Sequence, residues 1–154
     1  MTSRAGVHEK GTFSVIDLIN NAKRSGNCEK TGAMTLFIGV ARGNTLEGEK
    51  VKKLKLEAYE EKANEILDKI CDDLSKKPGI TNVQIHHLLG EFDIGEDMVY
   101  VLVAGSHRED VFQVLQEAVE RYKSEAPVFK KEQIIDAKGS PAEYWVSEKE
   151  HMQK

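Results

Sequence analysis

The chain is poor in several residue types, and each shortage excludes a class of protein. It has two cysteines in 154 residues, Cys28 and Cys71, which match neither a CxxC motif nor a Cys/His ligand spacing. A disulfide scaffold and a thiolate metal site are therefore excluded, and both thiols are expected to be reduced in a cytoplasmic protein. No apolar run approaches the roughly 18 residues of a membrane span. The first residues also lack the apolar segment of a secretion signal.

The charge balance excludes a general nucleic-acid binder. Lys and Arg number 22 against 26 Asp and Glu, which gives a net charge of −4. A chain that binds phosphate backbones needs an excess of basic residues. Any anion site must therefore be a local patch, and no metal site is expected.

The hydrophobic pattern predicts helices interleaved with paired strands. Paired strands of this kind favour an α+β fold with helices packed on a largely antiparallel sheet. We expect a disordered tail over residues 1–12, one domain over 13–149 and a second tail over 150–154. The predicted helices cover 14–24, 60–76 and about 106–124, and the predicted strands cover 33–40, 51–58, 83–89, 98–104 and 130–136.

The third helix carries cations at both ends. Ser106 and Glu109 fit a capping box at its start, and His107 and Arg108 fall in its first turn. Cations there oppose the helix dipole, which hints at a bound anion such as phosphate. An ion pair of Arg108 with a neighbouring carboxylate is the alternative. Lys123 lies in the last turn, where position alone favours a dipole-complementing role over acid–base chemistry.

Further candidates follow from strand geometry. Lys130 and Lys131 point to opposite faces of an extended segment, so at most one of them faces a given site. Arg42 follows a buried strand, where binding residues are common, although a surface arginine is equally compatible. His86 and His87 also point in opposite directions and cannot chelate one metal together, so both are interpreted as structural.

Taken in order, several segments resemble the large, catalytic subunit of molybdopterin synthase. The resemblance runs from about Phe13 to Lys149, nearly the whole chain. It is carried by Gly32-Ala33, Phe37-Ile38-Gly39-Val40-Ala41-Arg42, Leu56-Glu57-Ala58-Tyr59, His87, Gly90 to Glu96, Ser106-His107-Arg108, the run from Lys123 to Glu132, and Trp145-Val146.

The resemblance implies a fold, a reaction and partners. The fold would be an α/β hammerhead with an added antiparallel sheet. The reaction would convert cyclic pyranopterin monophosphate into molybdopterin, with two sulfurs forming a dithiolene and no cofactor required. Sulfur would come from a small ubiquitin-like (β-grasp) subunit that ends in a Gly-Gly thiocarboxylate. Two large subunits would form a homodimer, and one small subunit at each end would complete a heterotetramer.

The resemblance also implies roles for seven residues. Lys123 would be the central catalytic residue, and Lys130 would hold anionic groups or assist proton transfer. The substrate would be bound by Arg42, His107, Arg108, Phe37 and Lys149, the last being contributed across the dimer. The alternative function is a non-enzymatic, ferredoxin-like module that binds a small anion.

The sequence departs from the family pattern at several positions. Phe129 stands where the family often has tryptophan, and Ala58 stands where it has histidine. Leu88 replaces a frequent arginine, and the loop after Arg42 reads Gly43-Asn44-Thr45. These changes concern pocket detail and partner fit, and they leave the catalytic candidates in place.

Overall fold

The computed structural model describes residues 4–146 and contains three helices and seven strands within that range. The helices are α1 (Val15–Lys23), α2 (Glu60–Ser75) and α3 (Arg108–Glu125), with a short 3₁₀ turn at Cys28–Lys30. The strands are β1 (Ala5–Glu9), β2 (Ala33–Val40), β3 (Lys50–Ala58), β4 (Ile80–Asp93), β5 (Asp97–Gly105), β6 (Val128–Ile135) and β7 (Pro141–Val146).

All seven strands belong to one sheet that is organised around the long strand β4. The order is β2-β5-β4-β3-β6-β7, and β1 pairs with β4 outside this path. Every pairing is antiparallel except β1 with β4. Strand β4 pairs with β1 over Ile85–Leu89 and with β3 over 90–93, so it joins two halves of the sheet. The predicted α+β fold with a largely antiparallel sheet is confirmed.

Two hydrophobic cores cover the two faces of the sheet. On one face α2 and α3 bury their apolar stripes against β4 and β5, with Leu67, Val111 and Val101 fully buried. On the other face α1 packs Leu18 against residues from both halves of the sheet, including Phe92 and Leu102. Strand β5 is therefore buried on both faces, which explains its nearly continuous apolar sequence.

The first strand corrects the prediction of a disordered tail over residues 1–12. Ala5–Glu9 forms β1, and the side chain of Asn64 on α2 accepts a hydrogen bond from the Val7 backbone N–H at 2.8 Å. This five-residue segment is too short and too polar to produce a strand signal by itself. It becomes a strand because β4 offers it backbone hydrogen-bonding groups and α2 covers it.

The start of α3 also differs from its prediction. Its N-cap residue is His107, and no side chain caps the helix. The Ser106 hydroxyl donates instead to the carbonyl of Lys30 at 3.0 Å, so the predicted Ser106–Glu109 capping box is wrong. A capping box does occur at α1, where Ser14 and Asp17 bond reciprocally. The Ser-x-x-acid pattern therefore forms a capping box at α1 but not at α3, where a carbonyl distant in sequence accepts the hydrogen bond of the serine hydroxyl.

Within residues 4–146, no helix has both the length and the apolar character needed to cross a membrane.

Candidate active site

A pocket of about 660 Å³ opens where the C-terminal end of α3 meets both halves of the sheet. This volume lies within the range typical of small-molecule sites. Its walls come from the second half of β2 and the loop that follows it, from β3, β4, β5, β6 and β7, and from the end of α3. The lining side chains that bear on chemistry are Phe37, Arg42, His87, Tyr122, Lys123, Ser124, Phe129, Lys130, Glu132 and Trp145.

Lys123 reaches the pocket because α3 ends there. It lies in the last turn of the helix, and its Nζ is 5.9 Å from the centre of the buried Tyr122 ring. Ala126 is already extended, and the Pro127 ring does not allow the helix to continue. The chain passes directly into β6, so the end of α3 and the start of β6 form adjoining walls.

Strand alternation places Lys130 and Glu132 on the same wall. Both line the pocket, and their charged atoms are 3.9 Å apart. Lys131 lies between them in sequence and pairs with Glu143 at 2.9 Å outside the pocket. The prediction that only one of the two lysines faces a given site is therefore confirmed.

Arg42 and Phe37 enter the pocket from β2 and the loop that follows it. Both side chains line the cavity, so the structure places these two sequence candidates in one pocket. Gly39 lies between them, opposite Val99 of β5. A Cβ atom at Gly39 would collide with Val99 Cγ1, so glycine allows the two strands to approach closely at the pocket floor.

His107 and Arg108 do not reach this pocket within one chain. They lie at the exposed N-terminal end of α3, whereas Lys123 lies at its C-terminal end. With a rise of 1.5 Å per residue, the backbones of Arg108 and Lys123 are about 22 Å apart. Lys149 falls outside the described residues. Of the seven candidates, the structure therefore brings together Phe37, Arg42, Lys123 and Lys130.

Sequence reasoning did not propose His87 or Glu132 as site residues, although both are polar side chains of the pocket. His87 is 7% exposed and Glu132 is 8% exposed, so both are buried in the pocket wall. The sequence does contain a signal for Glu132, because strand alternation puts it on the same face as Lys130. His87 gave no such signal, because one strand sequence does not reveal which of its faces borders a cavity.

The two cysteines take no part in the pocket. Cys28 is exposed and Cys71 is buried, they form no disulfide, and neither lines the cavity. Burial raises the pKa of the Cys71 thiol to about 12, which keeps it protonated and unreactive. Among residues 4–146, no cluster of three or more His, Cys, Asp or Glu side chains could hold a metal ion. The pocket therefore offers cations and proton carriers, but no nucleophilic sulfur of its own.

The fold and the pocket together define an α+β protein with a cationic small-molecule site, to which residues 4–146 contribute three cations and one carboxylate. The family model described as "MoaE protein" matches residues 9–125. This match includes Phe37, Arg42, His107, Arg108 and Lys123 and ends before Lys130. The chain belongs to the MoaE family, and the resemblance seen in the sequence is confirmed.

Relatives and solved structures agree with this assignment. The chain is 37% identical over 112 residues to "Molybdopterin synthase catalytic subunit 1" of Aedes aegypti, which covers 72% of each chain. The crystal structure of molybdopterin synthase from Staphylococcus aureus matches with a TM-score of 0.80 at 26% identity, covering 95% of this chain and 98% of that chain. A complex of subunits 1 and 2 of molybdopterin-converting factor from Helicobacter pylori 26695 matches with a TM-score of 0.69. That match covers 88% of this chain and 91% of the other at 19% identity, which concerns the fold alone.

Proposed function

We propose that this chain is the catalytic subunit of a cytoplasmic molybdopterin synthase. It would convert cyclic pyranopterin monophosphate into molybdopterin, using sulfur from the C-terminal thiocarboxylate of a small β-grasp subunit. The observation that carries this proposal is the cationic pocket in a chain of the MoaE family. Both reactants are anions, and three cations on the walls of one cavity suit them.

The position of the cysteines favours a sulfur donor from outside the chain. A reaction that adds sulfur needs a sulfur source, and no cysteine lines the pocket. A thiocarboxylate on a flexible tail meets this need, because an extended tail can enter a cavity too narrow for a folded domain. Phe129 and Trp145 line the pocket and are 41% and 56% exposed, so they offer apolar contacts to an entering tail.

The reaction needs two steps for each sulfur. First, the thiocarboxylate sulfur bonds to a substrate carbon while a bond from that carbon to oxygen breaks and the oxygen leaves with the electron pair, which converts the tail into a thioester. Next, water adds to the acyl carbon and the carbon–sulfur bond breaks, so that sulfur remains on the pterin side and the tail ends as a carboxylate. Negative charge develops on the acyl oxygen during the second step. We propose that Lys123 stabilises that charge. Lys130 and Arg42 would bind the substrate's anionic groups, and Phe37 would contact the pterin ring.

A second copy of the chain would supply His107 and Arg108. Within one chain these residues lie at the wrong end of α3 for the pocket. A twofold axis reverses the direction of an element, so it can bring the N-terminal end of one α3 to the pocket of the other chain. The site would then be complete only in a homodimer, with one small subunit bound at each end.

Strand β2 is a candidate for the seam of this dimer. It is an edge strand among the described residues, and Met34 and Ile38 are 36% and 38% exposed. The first residue of β2 lies beside the start of α3, because Gly32 N–H donates to the carbonyl of Gly105 at 2.9 Å. Its last four residues line the pocket. Antiparallel pairing of two β2 strands would therefore set the start of one α3 beside the other chain's pocket.

Mixing two inactive variants tests whether the site is shared. Lys123→Ala and Arg108→Ala should each lose activity as homodimers. A hybrid dimer that contains one chain of each kind should regain one intact pocket, so a statistical mixture recovers about a quarter of wild-type activity. No recovery, in a mixture shown by mass spectrometry to contain hybrid dimers, would place both residues in the same chain's site.

Product formation tests the function itself. The purified chain, cyclic pyranopterin monophosphate and a thiocarboxylated small subunit are combined, and the oxidised pterin product is measured by fluorescence. Lys123→Ala should lower the rate by at least about 10²-fold with its fold intact, since it removes the charge that opposes the oxyanion. Lys62→Ala, on the exposed side of α2, is the matched control and should behave as wild type. Binding of the small subunit without any product would favour the alternative of a non-enzymatic binding module.

A further inference from the structure

Adjacent histidines on β4 have different environments. His86 is fully buried and stacks on Phe13 with ring centres 4.1 Å apart, on the face of the sheet covered by α1. His87 faces the opposite side, where its ring lies 5.8 Å from the ring of Tyr122 and lines the cationic pocket. Aromatic stacking in the core accounts for His86. This stacking does not account for an imidazole, and not an apolar side chain, at position 87.

The hydrogen bond of His87 determines its tautomer. Its Nδ1 lies 3.0 Å from the backbone carbonyl oxygen of Leu88. A carbonyl oxygen only accepts, so Nδ1 must carry the proton. In the neutral ring the lone pair therefore belongs to Nε2. The bond also fixes the ring orientation, since a hydrogen bond at one ring nitrogen commonly orients the other nitrogen of a catalytic histidine.

The surroundings of His87 contain cations, one carboxylate and apolar strand neighbours. Its register partners on β1 and β5 are Val7 and Val99, and α3 contributes Tyr122 and Lys123. Three further charged groups share the cavity, Arg42, Lys130 and Glu132. Lysine and arginine side chains near neutral pH donate protons but do not accept them. His87 is the imidazole among the described lining residues, and an imidazole both accepts and donates in that range.

We propose that His87 is a catalytic acid–base residue that activates the water which cleaves the acyl–sulfur bond. This proposal rests on the proposed function. The water oxygen bonds to the acyl carbon while one water proton moves to His87 Nε2. The resulting oxyanion collapses, the carbon–sulfur bond breaks, and sulfur leaves with the electron pair as a thiolate. The tail becomes a carboxylate, and the proton on His87 passes to solvent, so two protons are released for each thioester hydrolysed.

Replacing His87 by asparagine is the most direct test. The asparagine side-chain amide can still donate to the Leu88 carbonyl, but it cannot accept a proton as Nε2 does. We expect the H87N variant to turn over about 10²- to 10³-fold more slowly. The limb of the rate profile that depends on protonation between about pH 5 and 8 should disappear. Intact-mass spectrometry of the small subunit should show the thioester adduct with the substrate accumulating, because only its hydrolysis is impaired.

Two further variants separate chemistry from structure. H87A opens space beside the pocket, and added imidazole should restore part of its activity if the missing function is proton transfer. H8Q changes a histidine that contacts His86 outside the pocket and should keep the wild-type rate and pH profile. A wild-type chain that makes no product would count against the proposed function. An active wild type, together with a wild-type-like rate and pH profile in H87N, would overturn only the role of His87. Loss of activity in H87A without imidazole rescue and without adduct would do the same.

Discussion

The carboxylate of Glu132 lies 3.9 Å from the ammonium group of Lys130, measured from Oε1 to Nζ, and both side chains line the pocket. Their side chains are 11% and 17% exposed, so solvent screens this pair only weakly. The carboxylate therefore restrains the position of the lysine that is assigned to the substrate's anionic groups.

Removing the charge of Glu132 should impair turnover more than binding. Glu132→Gln keeps the size of the side chain but no longer attracts Lys130, and it makes the pocket more cationic. We expect kcat to fall about tenfold while KM stays the same or decreases, because weaker positioning costs reactivity and added positive charge favours anions. Steady-state kinetics measures this split. Glu132→Asp, which keeps the charge, should recover part of the loss, whereas a pure increase in KM would contradict the positioning role.

Lys130 and Lys131 form a natural matched pair for mutagenesis. Lys130→Ala removes a cation from the pocket wall and should lower kcat/KM by about 10- to 100-fold, which corresponds to about 1.4–2.8 kcal/mol. Lys131→Ala breaks an exposed ion pair with Glu143, which solvent screens strongly, and should leave turnover near wild type. The comparison uses the same product assay for both variants. Equal losses would mean that neither lysine acts through the pocket.

Gly39 should be intolerant of a side chain for a specific steric reason. A Cβ atom there meets Val99 Cγ1, so Gly39→Ala must displace strand β5 or the Val99 side chain at the pocket floor. Overpacking of this kind costs about 1–3 kcal/mol, and activity should fall with it. Urea unfolding and the product assay measure the two effects. The double variant Gly39→Ala/Val99→Ala removes the colliding methyl group and should recover stability, and failure to do so would show that the clash is not the cause.

Buried His86 should make the protein less stable in mild acid. Burial, together with the smaller effect of the positive charge of a protonated His8, lowers the pKa of His86 to about 3. The unfolded chain takes up a proton below about pH 6.5, but the folded chain does not until about pH 3. The free energy of unfolding is therefore highest above about pH 6.5. It decreases as the pH falls, by about 2 kcal/mol between pH 7.5 and 5.

Urea unfolding at several pH values measures this dependence. His86→Gln removes the titrating group while keeping a polar side chain, so its stability should vary less with pH between 7.5 and 5. Burial also lowers the pKa of His8, which contributes in the same direction. An unchanged slope in His86→Gln would assign the acid sensitivity to other groups.

The sequence predicted the elements whose apolar period is long enough to be read locally. Helices α1, α2 and α3 and strands β2 to β6 all follow such patterns. Strands β1 and β7 were missed, because their short segments become strands only through partners that lie far away in sequence. Tyr144 and Trp145 are 52% and 56% exposed on β7.

The candidate site was predictable only in part, for a similar reason. Lys123 and Lys130 are separated in sequence by a turn that brings them together, but it was the family resemblance, and not their positions alone, that assigned both to one site. The resemblance also implied that His107 and Arg108 bind the same substrate, although within one chain α3 holds them about 22 Å from Lys123. His87 was missed because its role depends on which face of β4 borders the cavity, and that is decided by the packing of α3.

The position of charged groups at both ends of α3 has a genetic consequence under the proposed dimer. One helix would serve two active sites, with Lys123 in its own chain's pocket and Arg108 in that of the second chain. A cell that makes two defective forms of the protein, damaged at opposite ends of α3, would still assemble some working enzyme. Two forms damaged at the same end would not. The pattern of complementation between alleles would then map which residues belong to which chain's site, without any structure of the assembly.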